Sequence, residues 1–193
     1  MDEVSEPFLF SLSEHNWIWG YDMTTDLAMG NPYATSSAWI RSFSGDGYSA
    51  GTQVYSCINR LLYDRIPESD VRKGWWVDAS LKSPLLEHVT WDGVSGDAVA
   101  GLTIDNVKMA FLPYTNVKFG MNTVGGTLND DDWPFMRVEE MILIQIEGLA
   151  KSGSPAQAKA MLEDFIRTYR DPAYSADAAG RSLEDEIWFQ RRV

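Results

Sequence analysis

Histidine and cysteine are nearly missing from this chain: 193 residues hold two His and one Cys. His15 and His88 have no Cys or second His at metal-ligand spacing, which argues against a zinc site. Cys57 has no partner for an internal disulfide and says little about compartment. Its local pattern predicts a helix and a buried apolar role. Basic residues are scarce as well. Sixteen Lys and Arg stand against 28 Asp and Glu, a net charge of −12. That deficit disfavours nucleic-acid binding, which begins with a basic footprint. No apolar run approaches the roughly 20 residues of a membrane-spanning helix, and the stretch Met141 to Ile146 is broken by Gln145. Gly45-Asp46-Gly47 and Gly125-Gly126 lack the following Lys-Ser/Thr pair of a phosphate cradle. No nucleophile motif supports a Ser-His-Asp or Cys-His site. Paired carboxylates are plentiful in so acidic a chain and do not by themselves indicate glycoside hydrolysis, which requires a specific separation.

What is present is an apolar fraction of 45% and eight Trp. The first value excludes disorder for the chain as a whole, and the length suffices for one sizeable core. The clearest pattern is helical. Pro134 to Lys151 reads PFMRVEEMILIQIEGLAK, with Phe135, Val138, Met141, Ile142, Ile146 and Leu149 at the spacing of one buried face. Met136, Leu143 and Ile144 widen that face, while Arg137, Glu139, Glu140 and Glu147 fall largely off it. After Ser152-Gly153, a second helix starts at Ser154 with Pro155 in its first turn and Gln157 placed for a capping box. Its stripe is Ala158, Met161, Leu162, Phe165, Ile166 and Tyr169. So short a connection gives an antiparallel helical hairpin. A third helix opens at Ser182, with Asp185 in the carboxylate position, and carries Leu183 and Ile187 toward Val193 in mid-pattern.

The string WPFMRVEEMILIQIEGLAKSGSPAQAKAMLEDFIRTYR resembles the carboxyl-terminal helical segment of the SusD/RagB family of outer-membrane nutrient-binding lipoproteins. Arg137, Glu140 and Glu147 match the family pattern; Ile146 and Gly148 depart from its usual Ala. EIWFQRRV resembles a later family segment, with Gln190 in place of the usual Glu. Asn16 to Gly20 and Leu62 to Trp75 resemble two upstream segments, the second containing Asp70-Val71-Arg72. The ordered set spans nearly all of the chain. The resemblance implies the carboxyl-terminal part of a longer family member, mainly α, on a tetratricopeptide-like helical hairpin scaffold of the alpha-alpha superhelix type, with long irregular loops and a few short strands. It further implies a lipid-anchored protein exposed on the outer membrane. Such a protein binds glycans without catalysis and passes them to a TonB-dependent, SusC-like transporter. No cofactor is implied.

Residues 1–130 are loop-rich and residues 131–193 helical, within one domain spanning 1–193. Short strands are expected at Trp17 to Tyr21, Ala38 to Phe43, Val107 to Leu112 and Thr115 to Phe119. One helix is expected from Thr52 to Arg65, with Val54, Ile58, Leu61 and Leu62 on its apolar face and Pro67 beyond its end. Turn signals fill Leu81 to Leu102, including Asp92-Gly93 and Ser95-Gly96-Asp97. Asp130-Asp131-Asp132 reads as a helix cap in preference to a calcium loop. A sugar ring has an apolar face that an aromatic can cover and a polar rim that Asn, Asp, Arg and Gln can bond. Any single Trp is more often a packing residue than such a platform. Trp17 and Trp19 share a strand face and read as core. If the segment is extended, Trp75 and Trp76 point to opposite faces, so at most one is free for a ligand. Trp39 with Arg41, Tyr33 and Tyr48 forms the leading ligand-binding candidate, and Trp91 is a further one. Asp70-Val71-Arg72 reads as a local salt bridge or turn. Two other readings stand beside glycan binding: a module that packs against a transporter without its own ligand, and a glycoside hydrolase.

Overall fold

The computed structural model describes residues 17–21, 57–80, 82–84, 90–91, 94–95, 112–116, 118 and 133–193. Over these residues the protein is mainly α. In chain order they comprise strand β1 (Trp17–Tyr21), helix α1 (Arg60–Tyr63), a 3-10 turn (Val71–Trp75), strands β2 (Thr90–Trp91), β3 (Val94–Ser95) and β4 (Trp133–Arg137), and helices α2 (Val138–Lys151), α3 (Pro155–Tyr169) and α4 (Leu183–Arg192). β1 pairs antiparallel with β4, and β2 with β3.

The helical hairpin forms as its sequence requires. The turn after α2 closes with Gly153 at φ +88°, and the Ser154 N–H donates to the Leu149 carbonyl at 3.0 Å. This is the left-handed glycine stop of a Schellman motif. It also explains why the expected capping box at Ser154 does not form. That N–H is already spent on Leu149, and the Ser154 side chain makes no cap bond. Pro155 still occupies the first turn. At α4 the predicted cap is intact: Ser182 Oγ accepts from the Asp185 N–H at 3.1 Å and donates to its carboxylate at 2.7 Å.

The core of the hairpin is Leu143, Ile146, Ala158, Leu162, Phe165, Ile166, Tyr174 and Ile187. The α3 stripe matches the sequence pattern, with Met161 and Tyr169 packed at its edge. In α2 the buried line is rotated from the expected one. Leu143 and Ile146 are fully buried, Ile142 and Leu149 flank them, and Ile144 is exposed. Helix α4 packs chiefly on α2, where Arg191 forms ion pairs with Glu140 and, at 2.6 Å, with Glu147.

Several expectations are corrected. The helix expected from Pro134 begins at Val138, because Trp133–Arg137 pairs its backbone with Trp17–Tyr21. Phe135 and Met136 are therefore exposed; Asp130-Asp131-Asp132 lie outside the described residues, and the segment that follows them is a strand. Glu139, expected on the polar side, is buried against Arg137 at 2.9 Å. Trp19 is not core: it is 62% exposed and meets the Phe135 ring at a tilted angle, with ring centres 5.2 Å apart. Register shifts in β1 around this residue break the two-residue alternation that placed it inside. Of the helix expected over Thr52 to Arg65, only Arg60–Tyr63 is helical among the described residues, Leu61 points to solvent, and Val54 lies outside them. Cys57 is exposed and sits in an isolated bridge opposite Thr115, not in a helix. Ala38 to Phe43, His15, His88 and Asp92-Gly93 lie outside the described residues. Leu112 belongs to no strand, and Thr115 and Asn116 enter only isolated bridges.

Candidate functional site

The segment from Asn59 to Pro84 builds a groove of about 460 Å³. That lies within the usual span for a small-molecule site, about 300–1,000 Å³. Asn59 caps α1 by accepting the Leu61 N–H at 2.8 Å, and α1 delivers Tyr63 to the groove. The chain then turns at Pro67, whose carbonyl accepts the Asp70 N–H at 3.1 Å. Asp70 caps the 3-10 turn through the Arg72 N–H at 3.0 Å. A 3-10 turn stacks residues three apart. Asp70, Lys73 and Trp76 accordingly line one side of the same groove. Trp75 turns the other way, is buried, and holds the Lys118 ammonium 3.3 Å from its ring centre. The tryptophan pair thus divides, with Trp75 closing the 3-10 turn and not in an extended strand, and Trp76 half-buried on the groove side.

The facing wall is Asp78 to Pro84. Asp78 Oδ1 accepts the Ser80 and Lys82 N–H groups at 2.7 and 2.9 Å, and its own N–H returns to the Lys82 carbonyl at 2.9 Å. Ser83 Oγ donates to the Gly74 carbonyl at 2.5 Å. Gly74 is needed for that approach, since a Cβ there would lie 3.0 Å from Pro84 Cγ. Behind the groove, residues 112–116 thread between 57–58 and 76–77, with Ile58 N–H to Tyr114 O at 3.0 Å and Val77 N–H to Thr115 O at 3.0 Å. Tyr114 adopts φ +69°, a costly conformation for an aromatic residue, and its ring meets Tyr63 edge-on at 5.0 Å.

The groove mixes aromatic faces with charge. The Lys73 ammonium sits 5.0 Å from the Tyr63 ring centre, donates to the Ile66 carbonyl at 3.0 Å and pairs with Glu68. Burial raises the Tyr63 phenol above its ordinary range, and the charges of Asp78 and Glu68 add to this. The phenol therefore keeps its proton at neutral pH.

Beneath the groove lies a buried polar network. Arg72, fully buried, holds Asp70 through two bonds of 3.0 and 2.6 Å. The Asp-x-Arg motif is thus the local salt bridge its spacing suggests. Arg72 also donates to Gln190 Oε1 at 2.6 Å and to the Gln190 carbonyl at 3.2 Å. Arg170 reaches the same carbonyl at 3.1 Å. Gln190 donates to Glu186 at 3.0 Å, and Glu186 is held further by Tyr174 at 3.1 Å and Arg181 at 2.6 Å. The Val71 N–H donates to the Arg170 carbonyl at 2.9 Å. The groove floor is in this way fastened to α3 and α4.

Trp39, Arg41, Tyr33 and Tyr48 lie outside the described residues. Trp91 is described by its backbone alone, opposite Val94 in the β2–β3 pair. The groove residues Tyr63, Lys73 and Lys82 were not singled out from sequence. The available signal was the three-residue recurrence of Asp70, Lys73 and Trp76. Among the described residues no group of His, Cys, Asp and Glu is arranged to hold a metal, and no helix is long and apolar enough to cross a membrane.

These elements define a tetratricopeptide-like helical scaffold that carries an aromatic, charged groove on its loop side. The fold is SusD-like. It is similar to the crystal structure of a SusD-like carbohydrate-binding protein from Bacteroides vulgatus ATCC 8482, with a TM-score of 0.65 and 20% sequence identity. The likeness covers 100% of this chain and 34% of that one, so the chain spans about a third of its neighbour's length. No family model matches the sequence, and no curated protein matches it.

Proposed function

We propose that this chain is the carboxyl-terminal part of a SusD/RagB-type protein that binds glycans at the bacterial outer-membrane surface. In this reading it makes and breaks no bond. It presents the glycan to a TonB-dependent, SusC-like transporter, and the full-length protein is lipid-anchored. The observation that carries the reading is the half-buried Trp76 beside Tyr63 in a groove rimmed by Lys73, Lys82, Glu68, Asp78 and Ser83. An aromatic face can cover the C–H side of a sugar ring while such a rim bonds its hydroxyls. The solved SusD-like neighbour, named as carbohydrate-binding, supports the same reading. The loop cluster of Trp39, Arg41, Tyr33 and Tyr48, with Trp91, remains a proposed second contact surface.

The test is intrinsic fluorescence titrated against plant, host and bacterial polysaccharides, with Trp76→Ala and Trp39→Ala alongside. A saturable change lost in Trp76→Ala supports the groove, and one lost only in Trp39→Ala moves the site to the loop cluster. A folded chain that responds to no glycan overturns the reading. A second reading, a module that packs against a partner protein, is favoured by the exposed Ile18, Trp19, Phe135 and Met136 on the β1–β4 pair. It would gain from that silent outcome. Release of reducing ends from labelled oligosaccharides would instead favour a glycoside hydrolase.

A further inference from the structure

The charges of the groove are unequally satisfied. Asp70 is held by Arg72, Glu68 is paired with Lys73, and Asp78 accepts two backbone N–H groups. All three carboxylates lining the groove are therefore engaged within the protein. Lys73 is engaged too, by Glu68 and the Ile66 carbonyl. Lys82 is different. It is exposed at the groove wall, its backbone is pinned at both ends by Asp78, and its ammonium has no hydrogen-bond or ion-pair partner among the described residues. In a chain of net charge −12, a cation at the edge of an aromatic groove stands against the prevailing field.

We infer that the groove selects anionic glycans, bearing sugar carboxylates or sulfates, over neutral ones, with Lys82 as the ion-pairing contact and Trp76 as the stacking face. This rests on the glycan-binding reading above. An ammonium is a point charge without the bidentate geometry of a guanidinium, so it fits either anion. The occupied carboxylates of the groove would not need to be displaced. A neutral sugar would stack on Trp76 equally well but would leave the ammonium to water.

The experiment compares three probes by calorimetry or fluorescence: an oligogalacturonate, its fully methyl-esterified form and a sulfated galactan oligosaccharide. The protein is wild type, Lys82→Met, Lys82→Arg, or Lys159→Met as a charge-matched control on α3. The expected result is tighter binding of one or both anionic probes than of the ester. That preference falls roughly fivefold in Lys82→Met, the upper worth of an exposed ion pair. It survives in Lys82→Arg and Lys159→Met, and it weakens as salt is raised. Which probe wins identifies the anion. Equal affinity of the ester and both anionic probes, or an unchanged preference in Lys82→Met, overturns this inference and leaves glycan binding standing. Silence from all three probes with a response to neutral glycans does the same. Silence from every glycan overturns both.

Discussion

Arg72 Nη2 lies 2.6 Å from Gln190 Oε1, joining residues 118 positions apart in the chain. Both side chains are buried. The contact ties the turn under the groove to the inner face of α4. Arg72 also neutralises Asp70, which is only 2% exposed and has no other ion-pair partner among the described residues. Substituting Arg72→Met would strand a buried carboxylate, which typically costs about 3–5 kcal/mol. Urea unfolding should show that loss. The pair Arg72→Met with Asp70→Asn should be less damaged than Arg72→Met alone, since Asn can still cap the turn without a buried charge. A double variant worse than the single would contradict this account.

Ile166 and Ile144 offer a contrast within the hairpin. Ile166 is fully buried in its core, and Ile144 is exposed on α2. Ile166→Ala should destabilise by about 2–5 kcal/mol, the cost of a core truncation. Ile144→Ala should stay within about 0.5 kcal/mol of wild type. Comparable losses at both positions would mean that Ile144 is covered in solution.

The Tyr174 phenol is raised well above its ordinary range by burial first, then by the charge of Glu186 and its hydrogen bond to that residue. The folded state thus favours the protonated phenol. This contribution is whole below the unfolded pKa of about 10 and is lost as pH climbs above it toward the raised folded value. Stability should fall on the alkaline side of about pH 10. Tyr174→Phe should lose about 1 kcal/mol at neutral pH and show a flatter alkaline decline. Denaturation midpoints measured across that range would test this, and an equally steep decline in Tyr174→Phe would refute it.

Gly74 gives the groove wall its closeness. A Cβ at this position would press on Pro84 Cγ at 3.0 Å and Cδ at 3.1 Å, beside the bond from Ser83 to the Gly74 carbonyl. Gly74→Ala should shift the Ser83–Pro84 wall and weaken the glycan response severalfold, at a stability cost of about 1 kcal/mol. Unchanged binding with an unchanged unfolding midpoint would show that the wall gives way freely.

The parts of the fold legible in sequence are those fixed by neighbours in the chain. The α3 stripe, Pro155 and the Ser182–Asp185 cap all act over one or two turns, and all are observed. The start of α2 is not legible, because Phe135, Val138 and Met141 continue a helical period, whereas the hydrogen bonds that make Trp133–Arg137 a strand come from Trp17–Tyr21, far away in sequence. Glu139 is buried against Arg137, whose place at the end of β4 is itself set by pairing with the distant Trp17. At the groove, the division of Trp75 from Trp76 and the Asp70–Arg72 pair were legible. Lys82 was not, because its position depends on a loop closed by Asp78 and not on any periodic pattern. Gln190 was visible as a departure from the family's usual Glu. Its role emerged only where two guanidinium groups converge on it.

The bond from Arg72 to Gln190 also orders events during synthesis. Domains fold as their segments leave the ribosome. The residues that line the groove all precede Gln190 in the chain, and their floor is anchored to a side chain translated more than a hundred codons after Arg72. Until Gln190 clears the exit tunnel, Arg72 and Asp70 have only each other. The floor of the groove gains its last buried hydrogen-bond partner only when α4 arrives.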